Sequence, residues 1–241
     1  MTTLKGKVAF ITGGSKGIGF GIAQKLLEQG IHVAITSRSL DSAEKAASQL
    51  SEFSVHNAIV IGLAADVRSY EAQQEAIVRV EKTLGTIDIV IANAGLGAFG
   101  NIEDITIDTW NEVIDNNLTG AFYTLKSTLK SLKKTKGYYI TISSLAGANF
   151  FAGATAYNAS KFGLTGFTQA AVLDVRQHGV KVSTIMPGSV STYFNGNEPS
   201  EKDAWKIQQE DIGELVVDLL KMNPRTLPSK IEVRPSAPPT K

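Results

Sequence analysis

Tyr157 and Lys161 stand four residues apart in Tyr157-Asn158-Ala159-Ser160-Lys161, within a helix-patterned stretch from Ala156 to His178. On a helix that spacing puts both side chains on one face, about one turn apart. A free phenol has a pKa near ~10 and carries protons poorly at neutral pH. A neighbouring ammonium favours the phenolate and is expected to bring that pKa down. General acid–base catalysis works best in that lower range. The pair is therefore equipped to move a proton to or from an oxygen. The same spacing also suits an amphipathic helix whose lysine lays its stem along apolar surface. The surrounding residues have to decide.

The first apolar run leads straight into Thr12-Gly13-Gly14-Ser15-Lys16-Gly17-Ile18-Gly19, after which a helical pattern begins. Strand, glycine turn and helix place free backbone N–H groups and the positive end of a helix dipole against an anion. Glycines are needed there because a Cβ would block the turn and keep the backbone away from a pyrophosphate. The spacing is G-x-x-x-G-x-G, and its position after the first strand marks it as a dinucleotide site. Two rival motifs overlap it. Gly13-x-Ser15-x-Gly17 matches the nucleophile elbow of serine hydrolases, but that motif follows a later strand and needs an acid and a histidine downstream. Only His178 comes late enough. A triphosphate-binding loop needs Gly-Lys-Ser/Thr at the helix start, and Gly19-Phe20-Gly21 does not supply it.

The second strand is expected to end at Thr36-Ser37-Arg38, where an NAD site would carry Asp or Glu for the ribose hydroxyls. The planar fork of Arg38 suits a 2′-phosphate instead. Lys16 can add a second positive charge from the glycine turn. Ser37 and Arg38 thus point to NADP(H), with a solvated surface arginine as the alternative. Asp41 is read as the cap of the following helix.

Taken together, TGGSKGIG, Asp66-Val67, Asn93-Ala94-Gly95, Asn117, Ser144, Tyr157-x-x-x-Lys161 and Pro187-Gly188 resemble the short-chain dehydrogenase/reductases from Lys5 to Thr192. The resemblance implies an NADP(H)-dependent enzyme interconverting a carbonyl and a secondary alcohol. Tyr157 would protonate the carbonyl oxygen while hydride arrives from the nicotinamide, whose positive charge when oxidised also favours phenolate. Lys161 would hold the nicotinamide ribose as well. Ser144 would polarise the substrate oxygen, and Asn117 would position a water linking Lys161 to solvent. Ser144 is chosen over Ser143 because it stands 13 residues before Tyr157, the usual family separation. Asn117 is chosen over Asn116 because it directly precedes Leu118. By the same resemblance Asp66 and Val67 would hold the adenine, and Asn93, Ala94 and Gly95 would line the cofactor and brace the central strand. Pro187, Gly188, Val190 and Thr192 would hold the carboxamide. Without the family, Asp66 would pass as a helix cap.

After Thr192 the resemblance loosens. Tyr193–Lys206 is short for the region that covers substrate in this family, and it carries Tyr193, Phe194 and Trp205. With Phe150 and Phe151 it is expected to build an open, apolar-walled pocket, although each aromatic suits core or surface equally. Relatives that reduce 3-oxoacyl groups on acyl carrier protein commonly end in a glycine-rich segment, whereas this chain ends Ser-Lys-Ile-Glu-Val-Arg-Pro-Ser-Ala-Pro-Pro-Thr-Lys. That substrate is one alternative reading, and a non-catalytic NADPH-sensing protein is the other. A sensor, however, has no need of a proton relay. Helices around Thr106–Lys133 and Ala156–His178 form the dimer face in many relatives, so a homo-oligomer (dimer or tetramer) is expected.

These groups have to be positioned by a scaffold. Apolar runs at Val8–Thr12, Val33–Thr36, Ala58–Ala64, Ile87–Ala92, Tyr138–Ser143, Val182–Ile185 and Ile231–Val233 read as strands. Helical patterns fall at Ile18–Glu28, Ser42–Ser51, Tyr70–Thr83, Thr106–Lys133, Ala156–His178 and Asp211–Met222. That alternation predicts an α/β fold, a doubly wound parallel sheet of about seven strands with helices on both faces; the resemblance makes it Rossmann-type. All seven prolines lie at or after Pro187, so none breaks a helix before it. No linker or repeat divides residues 1–241, read as a single domain with 235–241 as an extended tail. A net charge of +1 gives no global field for nucleic acid or an anionic membrane. The absence of cysteine excludes disulfides and thiol chemistry and favours a reducing compartment. His32, His56 and His178 show no metal-ligand spacing, so no metal is expected. With no signal-like or membrane-spanning apolar run, a cytoplasmic protein is expected.

Overall fold

The computed structural model describes residues 3–237. Seven strands are present: β1 Val8–Ile11, β2 His32–Ser37, β3 Val60–Ala64, β4 Ile89–Ala92, β5 Tyr138–Ile142, β6 Lys181–Pro187 and β7 Lys230–Val233. They form one parallel sheet in the order β3-β2-β1-β4-β5-β6-β7. The helices are α1 Gly17–Leu27, α2 Leu40–Leu50, α3 Tyr70–Thr83, α4 Ile107–Ile114, α5 Gly120–Thr135, α6 Thr155–Val175 and α7 Gln209–Lys221. This is the seven-stranded, Rossmann-type arrangement expected from the alternating runs. Several boundaries move by one or two residues, as element ends generally do.

Why the strands are almost wholly apolar follows from their period of two. Ala9 and Ile11 of β1, with Val33 and Ile35 of β2, face a core closed by Ile22, Leu26, Leu50 and Val216 from α1, α2 and α7. Val8, Phe10 and Ala34 face the other way, into a core closed by Ile77, Leu125 and Leu164 from α3, α5 and α6. Both faces are covered, so neither residue parity can be polar. The sheet runs outward from β1 in two directions, β2 to one side and β4 to the other. Such a reversal opens a crevice at the carboxyl ends of the central strands.

One expected helix is not continuous. The pattern over Thr106–Lys133 becomes α4, a π turn at Asp115–Thr119 and then α5. A π turn inserts extra backbone into a helix without needing Pro or Gly, so the apolar pattern carries no mark of it. Its consequence is that adjacent Asn116 and Asn117 are both buried. Asp41 is also not the cap of α2. Ser39 accepts from the Ser42 amide, and Asp41 lies in the first turn, where its charge favours the helix dipole. Asp66 is no cap either, since Ser69 caps α3. Of the predicted tail, Pro238–Lys241 lies outside the described residues. Among the described residues, no helix is long and apolar enough to cross a membrane.

Gln73, fully buried on α3, ties the start of α5 to the loop after β3. Its Nε2 donates to the Val67 and Gly120 carbonyls at 2.7 and 3.3 Å, and its Oε1 accepts from Thr124 at 2.7 Å. Gln73→Leu would keep the volume and leave buried polar atoms unpaired. The expected loss is about 1–3 kcal/mol, read from the urea midpoint.

Candidate active site

Helices α2, α3 and α4 each begin with a Ser or Thr side chain on a free amide and an acid in the first turn. Helix α1 has neither: Lys16 at its N-cap makes no side-chain cap, and its first turn holds no acid. Its amides therefore remain open to an anion. They open on a cavity of about 670 Å³ lined there by Gly13, Ser15, Lys16, Gly17 and Ile18. A Cβ on Gly13, whose φ is +65°, would stand 2.9 Å from the Ala94 Cα. The turn is consequently closed to other residues. Gly19 lies behind it rather than in the cavity, and its missing Cβ leaves room for the Asn93 amide, which would otherwise be 2.5 Å away.

The turn is fastened to β4. Asn93 Nδ2 donates to the Thr12 and Gly13 carbonyls at 3.0 and 2.9 Å. The Thr12 hydroxyl accepts from the amides of Asn93 and Ala94 at 3.1 and 3.2 Å. Thr12 escaped sequence reasoning because its role exists only where β1 and β4 are neighbours. Ser37 and Arg38 line the cavity at the end of β2, and among the described residues Arg38 makes no ion pair. Val67 lines the same end. Asp66 sits beside it, paired with Arg68 Nη2 at 2.6 Å, and that guanidinium holds its carboxyl below the usual range. Asp66 thus stays an acceptor.

At the other end, Tyr157 and Lys161 face the cavity from α6, with Ser144 at the end of β5. The Lys161 ammonium is buried and donates to the Ile142 carbonyl at 3.0 Å, and it lies 5.8 Å from the centre of the Tyr157 ring. Among the described residues no carboxylate pairs with it. Burial lowers its pKa to about 8. Contrary to expectation, the Tyr157 pKa is raised in the protein alone: burial dominates, and the nearby Ser144 hydroxyl only opposes it. The Lys161 ammonium does not offset this; its hydrogen bond goes to the Ile142 carbonyl rather than to the phenol.

The two ambiguous pairs separate geometrically. Both serines border the cavity, but the Ser143 hydroxyl is engaged with Thr165 at 3.1 Å and the Lys161 carbonyl at 3.3 Å. Ser144 Oγ accepts from the Ala146 amide at 3.1 Å and stands by Tyr157. Asn116, not Asn117, lines the cavity. Asn117 clamps the Leu96 backbone, accepting from its amide at 2.8 Å and donating to its carbonyl at 2.9 Å. Its second donor goes to Ser160 at 2.9 Å, so both amide protons are used. Asn117 nonetheless adjoins Lys161: a Cβ on Gly95 would stand 3.1 Å from Asn117 Oδ1 and 3.6 Å from Lys161 Nζ.

Asn93, Ala94, Gly95, Pro187, Gly188, Val190 and Thr192 complete the lining between the two ends. The chain then leaves at Val190, loops out, and returns to it at Ile207 through a parallel bridge. That excursion brings Phe194 to 5.8 Å from Tyr157, ring centre to ring centre. Phe99, unremarked in the sequence, packs edge-on against Tyr157 at 5.4 Å. Phe151 reaches Phe99, whereas Phe150 is 85% exposed and forms no ring contact. Trp205 also stays out of the cavity. Among the described residues, no cluster of His, Cys, Asp or Glu could hold a metal ion.

The short chain dehydrogenase family model matches residues 7–203. An uncharacterised oxidoreductase of Staphylococcus aureus is 34% identical over 98% of this chain and 100% of its own. Among solved structures, an alcohol dehydrogenase from the archaeon Thermococcus sibiricus, complexed with 5-hydroxy-NADP, superposes with a TM-score of 0.89. It is 32% identical and covers 95% of this chain and 97% of its own. A metagenomic short-chain oxidoreductase in complex with NADP gives a TM-score of 0.84 at 30% identity, covering 98% and 100%. With this fold and this cavity, the chain belongs to the short-chain dehydrogenase family and is an oxidoreductase. A nicotinamide dinucleotide, the cofactor bound in those structures, fits the open amides of α1 and the Gly13 cradle.

The buried ammonium has a measurable signature. The native pKa of Lys161 lies below the unfolded value of 10.5, so the unfolded chain holds the proton more tightly. Its cost is fully present below pH 8 and fades as pH rises toward 10.5. Lys161→Met without cofactor should exceed the parent in stability at pH 7 by about 1–3 kcal/mol. The gap should narrow toward pH 10. A gap in urea midpoint that stays constant with pH would contradict this account.

Proposed function

We propose that this chain is an NADP(H)-dependent oxidoreductase that interconverts a carbonyl and a secondary alcohol, with Tyr157 as general acid and base. The observation that carries the reading is one cavity with an anion cradle and unpaired Arg38 at one end and Tyr157, Ser144 and Lys161 at the other. Arg38 and Lys16 would hold the 2′-phosphate, and Asp66 with Val67 the adenine. Asn93, Ala94, Gly95, Pro187, Gly188, Val190 and Thr192 would line the nicotinamide half. When bound, NADPH would supply the hydride for the carbonyl carbon.

The chain's own residues supply the proton. The raised pKa keeps Tyr157 protonated at neutral pH, as a donor to the carbonyl oxygen must be. Ser144 would donate a second hydrogen bond to that oxygen as it gains charge. Lys161 would bind the ribose hydroxyls with the donors that Ile142 leaves free. In the reverse direction Tyr157 would have to be phenolate, a form that the positive charge of the oxidised cofactor would favour. Asn117 would act by fixing Leu96 and Ser160, and a proton path to solvent would begin at Lys161. A pure sensor is disfavoured because it gains nothing from a buried lysine beside a tyrosine. We place the protein in the cytoplasm on its lack of cysteine. Exposed Phe122, Phe162 and Leu173 on α5 and α6 support self-association; sedimentation as a monomer would remove that part of the reading.

Tyr157→Phe should lower kcat by at least about 100-fold while NADPH titration shows near-normal affinity. Full turnover in that variant would end the mechanism. Arg38→Asp should weaken NADPH roughly 10- to 100-fold and NADH only slightly, since the lost partner is the phosphate. An unchanged ratio of the two affinities would show the 2′-phosphate assignment to be wrong.

A further inference from the structure

We propose that Phe99 and Phe194 form an aromatic wall beside Tyr157 that selects uncharged aryl ketones, or aryl carbinols in the reverse direction. The inference rests on the reductase reading above and names the substrate class of that same site. Tyr157 is buried, yet the rings packed on it are not: Phe99 is 44% and Phe194 37% exposed, and Phe151 beside Phe99 is 53% exposed. Of the three, Phe194 lines the cavity, while Phe99 packs on Tyr157 at its margin and Phe151 packs on Phe99. Apolar surface left open in a cleft marks where a ligand's apolar surface goes.

The geometry favours a flat partner. Phe99 and Phe194 are inclined to the Tyr157 ring by 61° and 51°. Rings set at such angles offer both edges and faces, and aromatic groups associate through edge-to-face and offset contacts. The convergence requires Gly97, where a Cβ would stand 2.6 Å from Phe194 Cζ and 3.0 Å from a Phe99 ring carbon. The rings are also held from behind. The Phe194 amide donates to the Thr192 hydroxyl at 3.3 Å, and the Phe194 carbonyl accepts from Asn197 Nδ2 at 2.7 Å. The Phe151 amide donates to Asn158 Oδ1 at 3.3 Å, one residue past Tyr157.

Charge argues against an acid. Four cations line the cavity: Lys16, Arg38, Lys161 and Lys206. The first two lie at the cofactor cradle, and Lys161 is committed to Ile142 and the ribose. Lys206 is neutralised by Asp203 at 2.6 Å. Lys16 also comes within 6.0 Å of the Tyr193 ring centre, but in the reading above it is engaged by the cofactor phosphate; among the described residues no other unpaired cation lines the aromatic end. A charged substrate would therefore lose solvation there without gaining a partner.

The test compares kcat/KM with NADPH for acetophenone, 2-octanone of equal carbon number, and 4-acetylbenzoate. The parent enzyme should favour acetophenone over each of the others by about tenfold. Phe99→Leu and Phe194→Leu keep apolar bulk and should bring the acetophenone to 2-octanone ratio toward one; NADPH titration of the same samples confirms that the cofactor site is intact. A parent preference for 2-octanone or 4-acetylbenzoate overturns the inference, as does an unchanged ratio in both variants. Turnover of 2-octanone alone sinks the aromatic wall and leaves the reductase reading standing. Failure to reduce any carbonyl while NADPH binds sinks both.

Discussion

An ammonium taken out of water with no carboxylate beside it is the constraint around which this molecule is organised. Among the described residues the Lys161 ammonium has a single hydrogen-bond partner, the carbonyl of Ile142 at the end of β5. Desolvating a lone cation is costly, and proteins normally respond by pairing it or lowering its pKa. Here the second response is visible, and the remaining donors face a cavity rather than a side chain. A group kept in this state makes sense where a polar ligand completes it. The rest of the fold supplies the stability that the site gives up.

Rigid placement comes from the sheet and from one irregular turn. Strand ends at β1, β2, β4, β5 and β6 all deliver residues to one edge of the sheet, which a parallel arrangement allows and an antiparallel one would not. The π turn then lets Asn117 face inward and clamp Leu96 while donating to Ser160. Ser160 in turn donates to the Tyr157 carbonyl at 2.8 Å. Helix α6, the π turn and the loop after β4 are thus joined by hydrogen bonds. Thr12 and Asn93 do the same for the glycine turn. The glycine-turn end of the cavity and its Tyr157 end are held to the same central strands.

Much of this was legible because the signals are local. Apolar runs of strand length separated by helical periods give the layers, and glycines straight after the first strand give the anion cradle. Arg38 could be read because its place at a strand end follows from counting along β2. Tyr157 and Lys161 could be paired because i and i+4 share a helix face. What failed depended on neighbours distant in sequence. The π turn carries no punctuation, Ser39 rather than Asp41 took the cap, and Phe99 showed no pattern that would distinguish it from a surface aromatic. The Tyr157 pKa moved opposite to expectation because charge proximity can be guessed from spacing, whereas desolvation depends on everything packed around the ring.

By itself the sequence determined which groups could do chemistry and the order of elements that carry them, since those follow from residue type and short-range periodicity. Tertiary structure decided which of two serines meets Tyr157 and which of two asparagines lines the cavity. It also decided that Gly97 lets Phe99 and Phe194 close on the same ring. Each of these is a matter of which atoms face each other across the fold, and direction in space is fixed only when the strands and helices are packed.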